Sequence, residues 1–373
     1  MSSKTPDIYI GLMSGTSLDA IDVALVSFSD SQAPQLIHAR NWNIPSALRV
    51  QIENLCQPGS DEINRMGELD VQIGELFTEA VLSALQETGI SATQVRAIGS
   101  HGQTVRHHPF RNSPFTLQIG DPNTIAFRTG ITTVADFRRM DIAAGGQGAP
   151  LVPAFHDAVL RSEKENRAIV NIGGMANITV LARDFPVSGF DTGPGNVLMD
   201  AWIQKYLQQA HDAGGRWARS GQGHETLLNK LLSHPYFSLP APKSTGREMF
   251  HLAWLESQLT EIGEIKAEDV QRTLLELTAR SICDAIVQLP AAIDRVLLCG
   301  GGSHNTLLCE RIAELVPQST LGSTSDFGVS ADWLEAMAFA WLAKQRLEYK
   351  AGNAPTVSGA SRPCVLGGVY LPS

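Results

Sequence analysis

The sequence predicts an α/β protein of two similar lobes with a ligand cleft between them, and three observations carry that prediction. Residues 8–28, IYIGLMSGTSLDAIDVALVSF, read as two β-rich runs joined by a glycine-, serine- and threonine-bearing turn, and residues 167–183, RAIVNIGGMANITVLAR, repeat that grammar. Two more glycine turns follow strand-like runs, at 189–196 and 295–305. A chain of 373 residues is long enough for two domains, each with its own core. Internal similarity at that distance points to a duplicated domain with its two glycine tips facing across a cleft.

The bulk composition narrows the function classes. Net charge is −9, the 29 Lys and Arg residues are scattered, and 43% of residues are hydrophobic. No footprint for nucleic acid or an anionic membrane is visible, so small molecules are the expected partners. No apolar run is long enough for a signal peptide or a membrane span, which places the expected compartment in the cytoplasm. The five cysteines, Cys56, Cys283, Cys299, Cys309 and Cys364, lack any CxxC spacing and are expected as reduced thiols.

In chain order, the first hairpin offers Gly15, Thr16 and Ser17 at its tip, with Asp19 and Asp22 flanking the second run. Such a tip can cradle phosphate; a plain turn is the alternative. Across 61–89 the residues Leu69, Ile73, Leu76, Leu82 and Leu85 recur at helical spacing, and Gly89 stands as the stop. A short strand at 95–100 then delivers His101, Gly102, Gln103 and Thr104 at its end, where open α/β sheets present ligand contacts. His101, His107 and His108 lack the spacing of a metal site and read as hydrogen-bonding or structural histidines.

A strand at 131–135 runs into Asp136, Arg138, Arg139 and Asp141, followed by Gly145, Gly146 and Gly148. Paired arginines suit a carboxylate or phosphate, because guanidinium forms bidentate hydrogen bonds; a surface ion-pair cluster is the alternative. The second hairpin carries Gly173, Gly174 and Asn177.

The chemistry is placed at 189–200, GFDTGPGNVLMD. An apolar run leads to Asp191, then Gly193, Pro194 and Gly195, and Asn196 opens a helical pattern at Leu198, Ala201, Trp202 and Lys205. Glycines let backbone N–H groups approach an anion, and a helix N-terminus favours one. A carboxylate beside such a site has a use in taking a proton or holding a metal. An Asx turn before a Pro-Gly loop is the alternative.

Lys243, Ser244 and Thr245 lack the preceding GxxxxG of a P-loop, so that motif is rejected, although Lys243 and Arg247 remain available to a ligand. Residues 273–289 form an amphipathic helix through Leu274, Leu277, Ile282 and Ile286. A strand at 295–299 then meets Gly300, Gly301, Gly302, Ser303, His304 and Asn305 before a helix with Leu307, Leu308, Ile312 and Leu315, an arrangement that seats a nucleotide against backbone. Ser330 caps the last helix, through Leu334, Met337, Ala338 and Trp341, and the tail from Gly352 is loop with a short strand.

Together MSGTSLDAID, SHGQTV, QIGDPN, ADFRRMDIAAGGQGAPLVPAFH, NIGGMANIT, GFDTGPGN, PKSTGRE and CGGGSHN resemble the anhydro-N-acetylmuramic acid kinases of the actin, heat-shock chaperone and sugar kinase superfamily, over nearly the whole chain. The resemblance implies the actin-like ATPase (ribonuclease H-like) fold. It implies an N-terminal lobe of 1–165 plus 352–373 and a C-terminal lobe of 166–351. It further implies ATP and Mg²⁺ as cofactors and an anhydro amino sugar as substrate in peptidoglycan recycling, with homodimer assembly left open.

By the same resemblance, Asp191 is the general base, and Gly15, Thr16, Ser17, Leu18, Asp19, Ala20, Ile21 and Asp22 hold phosphates, Asp19 near Mg²⁺. Gly173, Gly174, Asn177, Gly193, Gly195 and Asn196 complete the cradle, and Gly300, Gly301, Gly302 and Asn305 face the adenosine. Arg138 is the candidate for the lactyl carboxylate or the transferring phosphate, with Asp136, His101 and Gln103 as sugar contacts.

Two departures stand out. Superfamily members carry an aspartate in the first phosphate loop where this chain has 11–14, GLMS, so the metal contact is expected elsewhere. Ala20 also replaces a family glycine, which a negative φ tolerates. A conventional hydroxyl sugar kinase and a chaperone- or actin-like ATP-dependent binding protein are the alternative functions; no appended domain follows Ser373, which counts against the chaperone.

Overall fold

The computed structural model describes residues 6–15, 18, 20–29 and 33–372. The strands are β1 (Asp7–Ser14), β2 (Ala20–Phe28), β3 (Gln35–Asn43), β4 (Val95–His108), β5 (Phe115–Ile119), β6 (Thr133–Ala135), β7 (Arg167–Ile172), β8 (Met175–Leu181), β9 (Ser188–Pro194), β10 (Arg295–Cys299), β11 (Thr320–Ser323) and β12 (Gly368–Tyr370). The helices that position them are α1 (Glu62–Thr88), α2 (Pro122–Thr129), α3 (Val197–Leu207), α4 (Ala267–Val287), α5 (Thr306–Leu315) and α6 (Leu334–Leu347).

Two compact units result: Met1–Val159 with Gly328–Ser373, and Leu160–Phe327. In the first, β1, β2 and β3 form an antiparallel meander, β4 adds to β1 in parallel and β6 adds to β4 in parallel. In the second, β7, β8 and β9 form the meander, β10 adds to β7 in parallel and β11 to β10 in parallel. The repeated hairpin grammar therefore marks a repeated strand order. The fold is mixed α/β with two sheets.

Each unit has its own core. In the first, Ile10, Leu12, Ile21, Val23 and Leu25 pack against Leu69, Ile73, Phe77, Val81 and Leu85 of α1. Leu82, expected on that face, is 44% exposed, because at 100° per residue it lies away from the stripe that Phe77 and Val81 extend. Gly89 ends α1 with φ 68, as its position after the periodic run predicts. In the second unit α4 lies across the meander, burying Leu274, Leu277, Ile282 and Ile286. It begins at Ala267 rather than 273, with Glu268 and Asp269 in the first turn where the helix dipole favours acids.

Three expectations are corrected. Residues 328–351 belong with the first unit, where α6 packs on β1 and β4, so the C-terminal lobe ends earlier than 351. Strand β4 does not stop at Ser100 but continues to His108, because β5 pairs with its second half. Ser330 does not cap the last helix: residues 331–333 form a turn and the helix starts at Leu334, with Trp333 at the cap position.

Candidate active site

The first hairpin places Gly15 at the end of β1 and Ala20 at the start of β2, and Leu18 between them takes φ 57. Ala20 is not among the residues of positive φ, so the replacement of a glycine there is tolerated. Thr16, Ser17 and Asp19 lie outside the described residues. The side chains of Leu18 and Ile21 are buried in the core, which leaves only their backbone to a ligand. Asp22 accepts from Asn41 Nδ2 at 2.6 Å, and burial, with Glu335 adding to it, pushes its carboxyl up to about 6.

Behind the tip stands a wall of paired polar groups. Ser14 Oγ donates to Gln103 Oε1 at 2.5 Å, and Gln103 Nε2 donates to the Gly15 carbonyl at 3.4 Å. His101 Nε2 accepts from Arg138 Nε at 3.1 Å and Nη2 at 2.9 Å, while Arg138 Nη1 donates to the Gly148 carbonyl at 2.8 Å. The ring nitrogen facing the Ser14 carbonyl at 3.2 Å, Nδ1, must then carry the proton. Burial, reinforced by Arg138, holds His101 down at about 3, a neutral imidazole.

The surface ion-pair alternative for 136–141 fails for half of its members. Asp141 is fully buried and accepts from Gly148 N, Asn353 Nδ2 and Ser358 Oγ, tying the glycine loop to the tail of the chain. Arg139 is the exposed arginine, 3.5 Å from Asp136. A cavity of about 150 Å³ is lined by His101, Asp136 and Arg139 together with Asp70, Gln118 and Tyr370. Of the four residues expected to touch sugar, His101, Gln103 and Arg138 thus spend polar atoms on the wall. Asp136 is the more open.

In the second unit, Gly173 and Gly174 form the tip between β7 and β8. Their carbonyls receive three consecutive amides: Gly195 N and Val197 N donate to Gly174 O, and Asn196 N donates to Gly173 O, at 2.8–3.1 Å. The start of α3 is therefore stitched to the hairpin tip, and those donors are not the open anion cradle expected of a helix start. Gly195 is required by this approach, since a Cβ there would strike the Gly173 carbonyl, whereas a Cβ at Gly174 would meet nothing. Asn177 lies opposite Asp191 in the β8–β9 ladder, and Gly193, at φ 154, packs against Phe237 and Ser281.

Asp191 sits on β9, the edge strand of its sheet. Its Oδ2 accepts from Ser244 Oγ at 2.9 Å and from Thr245 N at 3.0 Å. Burial raises its proton affinity, and these two bonds pull it back. Its backbone is held as well, the amide donating to the Lys243 carbonyl at 3.0 Å and the carbonyl accepting from Tyr236 Oη at 2.6 Å.

Five residues after Asp191, Asn196 lines a cavity of about 510 Å³ with Met199, Asp200, His211, Gly301, Gly302 and Asn305. That volume lies within the range of small-molecule sites. Gly300, at φ 76, turns the chain from β10 into this wall, and Gly302 packs on Ile172 and on Asn196 Oδ1. Asn305 also caps α5, accepting from Leu308 N at 3.2 Å. Asp200 was not expected: burial pushes it up to about 6, with His211 and Arg247 opposing. In the sequence it reads as an ordinary first-turn acid of a helix, and nothing local separates the two roles.

Among the described residues, no three His, Cys, Asp or Glu side chains gather to hold a metal ion. No helix of the described residues is long and apolar enough to cross a membrane, and all five cysteines are free.

A duplicated α/β architecture, with a held carboxylate leading through a glycine turn into a ligand-sized cavity, is the equipment of a kinase, a phosphotransferase acting on a small molecule. Comparison with known proteins agrees. The family model for anhydro-N-acetylmuramic acid kinase matches residues 7–372. The anhydro-N-acetylmuramic acid kinase of Saccharophagus degradans is 52% identical over 98% of this chain and 100% of its own length, and that of Shewanella denitrificans is 53% identical over 98% of each. The chain belongs to the anhydro-N-acetylmuramic acid kinase family. Among solved structures, the ADPNP-bound activator of the 2-hydroxyisocaproyl-CoA dehydratase from Clostridium difficile is a distant likeness, with TM-score 0.44 and 12% identity over 92% of this chain and 96% of that one.

Proposed function

We propose that this chain uses ATP and water to open 1,6-anhydro-N-acetylmuramic acid and phosphorylate its O6, giving N-acetylmuramic acid 6-phosphate and ADP in peptidoglycan recycling. The observation that carries the proposal is Asp191, a half-buried carboxylate held through one oxygen ahead of the glycine turn at 193–195. In the reaction a water attacks the anomeric carbon and its proton passes to Asp191. The anomeric C–O6 bond breaks, and O6 takes the γ-phosphoryl in line as the bond to ADP breaks. One base suffices, because phosphorylation captures the leaving oxygen.

The cavity lined by Asn196, Gly301, Gly302 and Asn305 suits the adenosine, with Asp200 and His211 as added polar contacts. In the first unit Asp136 and Arg139 are the residues best placed for the sugar and its carboxylate, while His101, Gln103 and Arg138 hold the wall behind them. Mg²⁺ with ATP commonly uses one or two carboxylates plus phosphate oxygens. Asp22 and Glu335, half-buried acids of which Glu335 raises the proton affinity of Asp22, fit a cation, and Asp19 stays a candidate from sequence. Bound there, the ion would neutralise charge on the transferring phosphate. Use of ATP argues for the cytoplasm.

The test is a coupled ADP assay with and without the anhydro sugar. Asp191→Asn is expected to cut turnover by about 10²–10⁴-fold while ATP still binds. Normal turnover in that variant removes the base. In ¹⁸O-water, label at the anomeric oxygen before exchange separates coupled hydrolysis from a conventional hydroxyl kinase, which incorporates none.

A further inference from the structure

We infer that Ser244 is a positioning residue for Asp191, holding its Oδ2 together with the Thr245 amide so that Oδ1 is the oxygen that takes the proton. The inference rests on the reading of Asp191 as the base. Both donors fall on one oxygen, at 2.9 and 3.0 Å, and none of the described residues donates to Oδ1. Turning the carboxylate would break both bonds.

The loop can do this because β9 is an edge strand, whose outward backbone groups need partners. The passage from Tyr236 to Thr245 supplies them. The Tyr236 hydroxyl and the Lys243 carbonyl close on the backbone of Asp191, and the next two residues close on its side chain. The lysine of this passage is turned away from the acid: Lys243 Nζ donates to the carbonyls of Tyr236 and Phe237, each at 3.2 Å. Burial and, less strongly, the charge of Glu248 raise the proton affinity of Asp191, and the Thr245 and Ser244 bonds act against both by favouring the ionised form.

Ser244 is exposed, so its hydroxyl can be removed without disturbing a core. Turnover of 1,6-anhydro-N-acetylmuramic acid with ATP is measured across about pH 5–9 for the full chain carrying Ser244→Ala or Ser244→Thr. Ser244→Ala is expected to lower kcat about tenfold, the worth of a hydrogen bond to a charged group, with KM for ATP unchanged. The acid limb of kcat/KM is expected at higher pH, because a donor that favours the ionised form is gone, and Ser244→Thr restores both. An acid limb that stays in place in Ser244→Ala overturns the positioning role. Asp191→Asn, run beside it, keeps the two ideas apart: normal turnover there removes the base itself, whereas a dead Asp191→Asn with an unmoved Ser244→Ala limb removes only Ser244.

Discussion

Gly11 of β1 lies directly under the carbonyl of Ala336 in α6, so close that a Cβ on the glycine would overlap that oxygen and come within 2.8 Å of Ala340 N. Gly99 of β4 stands in the same relation to the Phe339 carbonyl. The helix therefore rests on strand backbone, and only a residue without a side chain fits beneath it. Gly11→Ala should cost about 1–3 kcal/mol or more, the range for overpacking a core, seen as a lower urea midpoint at unchanged slope. The control is Gly67→Ala on α1, where the added Cβ meets nothing; it should be neutral or stabilise by about 0.5–1 kcal/mol. Equal midpoints for parent and Gly11→Ala would show that the helix can lift off its strands.

The Arg138–His101 pair gives a pH signature. His101, held at about 3 in the folded chain, titrates near 6.5 when unfolded, so the unfolded state binds a proton that the native state refuses. Its stability is complete above about pH 6.5 and is lost as pH falls toward 3, by about 2 kcal/mol at about pH 5. Asp22 and Asp200, pushed up to about 6, work in the opposite sense, gaining stability as pH falls through that value. His156, which burial also holds down at about 3, acts in the same sense as His101, so the parent's own profile mixes opposing contributions. The difference between the parent and His101→Gln isolates the histidine: the parent's advantage should shrink by about 2 kcal/mol from about pH 7.5 to about pH 5. A difference that does not change with pH would mean that His101 is not held neutral.

What the sequence makes legible is the local grammar. Glycine turns after β runs locate both hairpins, and the strand-turn-helix at 295–315 is seen where it was expected. Groups whose role depends on distant partners are not legible. Residues 328–351 follow the second unit in sequence but pack on the first, because Gly11 and Gly99, which read as ordinary strand residues, are the seat of α6. Arg138 and Arg139 are equivalent on paper. Only the fold turns one onto His101 and leaves the other beside Asp136. Asp191 was singled out for the glycines after it, yet the residues that hold it, Ser244 and Thr245, lie more than fifty positions away in a segment legible only as a failed P-loop.

Gly174 and Gly195 share one turn but answer to different constraints, and this separates structural glycines from ligand-facing ones. A Cβ at position 195 would strike the Gly173 carbonyl and approach the Met175 carbonyl carbon to 3.1 Å, where the amides of 195–197 are stitched to the hairpin. A Cβ at 174 would point into open space. Gly195→Ala should lower both stability and activity, the first by about 1–3 kcal/mol because the stitched backbone must move. Gly174→Ala should leave the unfolding free energy from urea titration within about 0.5 kcal/mol of the parent's, as for a surface change. Its effect on nucleotide then reports contact alone: a weakened ATP affinity at parental stability places the second hairpin tip against phosphate, since an added methyl there could clash only with a ligand. ATP affinity equal to the parent's, measured by calorimetry, would remove this tip from the cradle and leave the nucleotide to the cavity around Asn196 and Gly301.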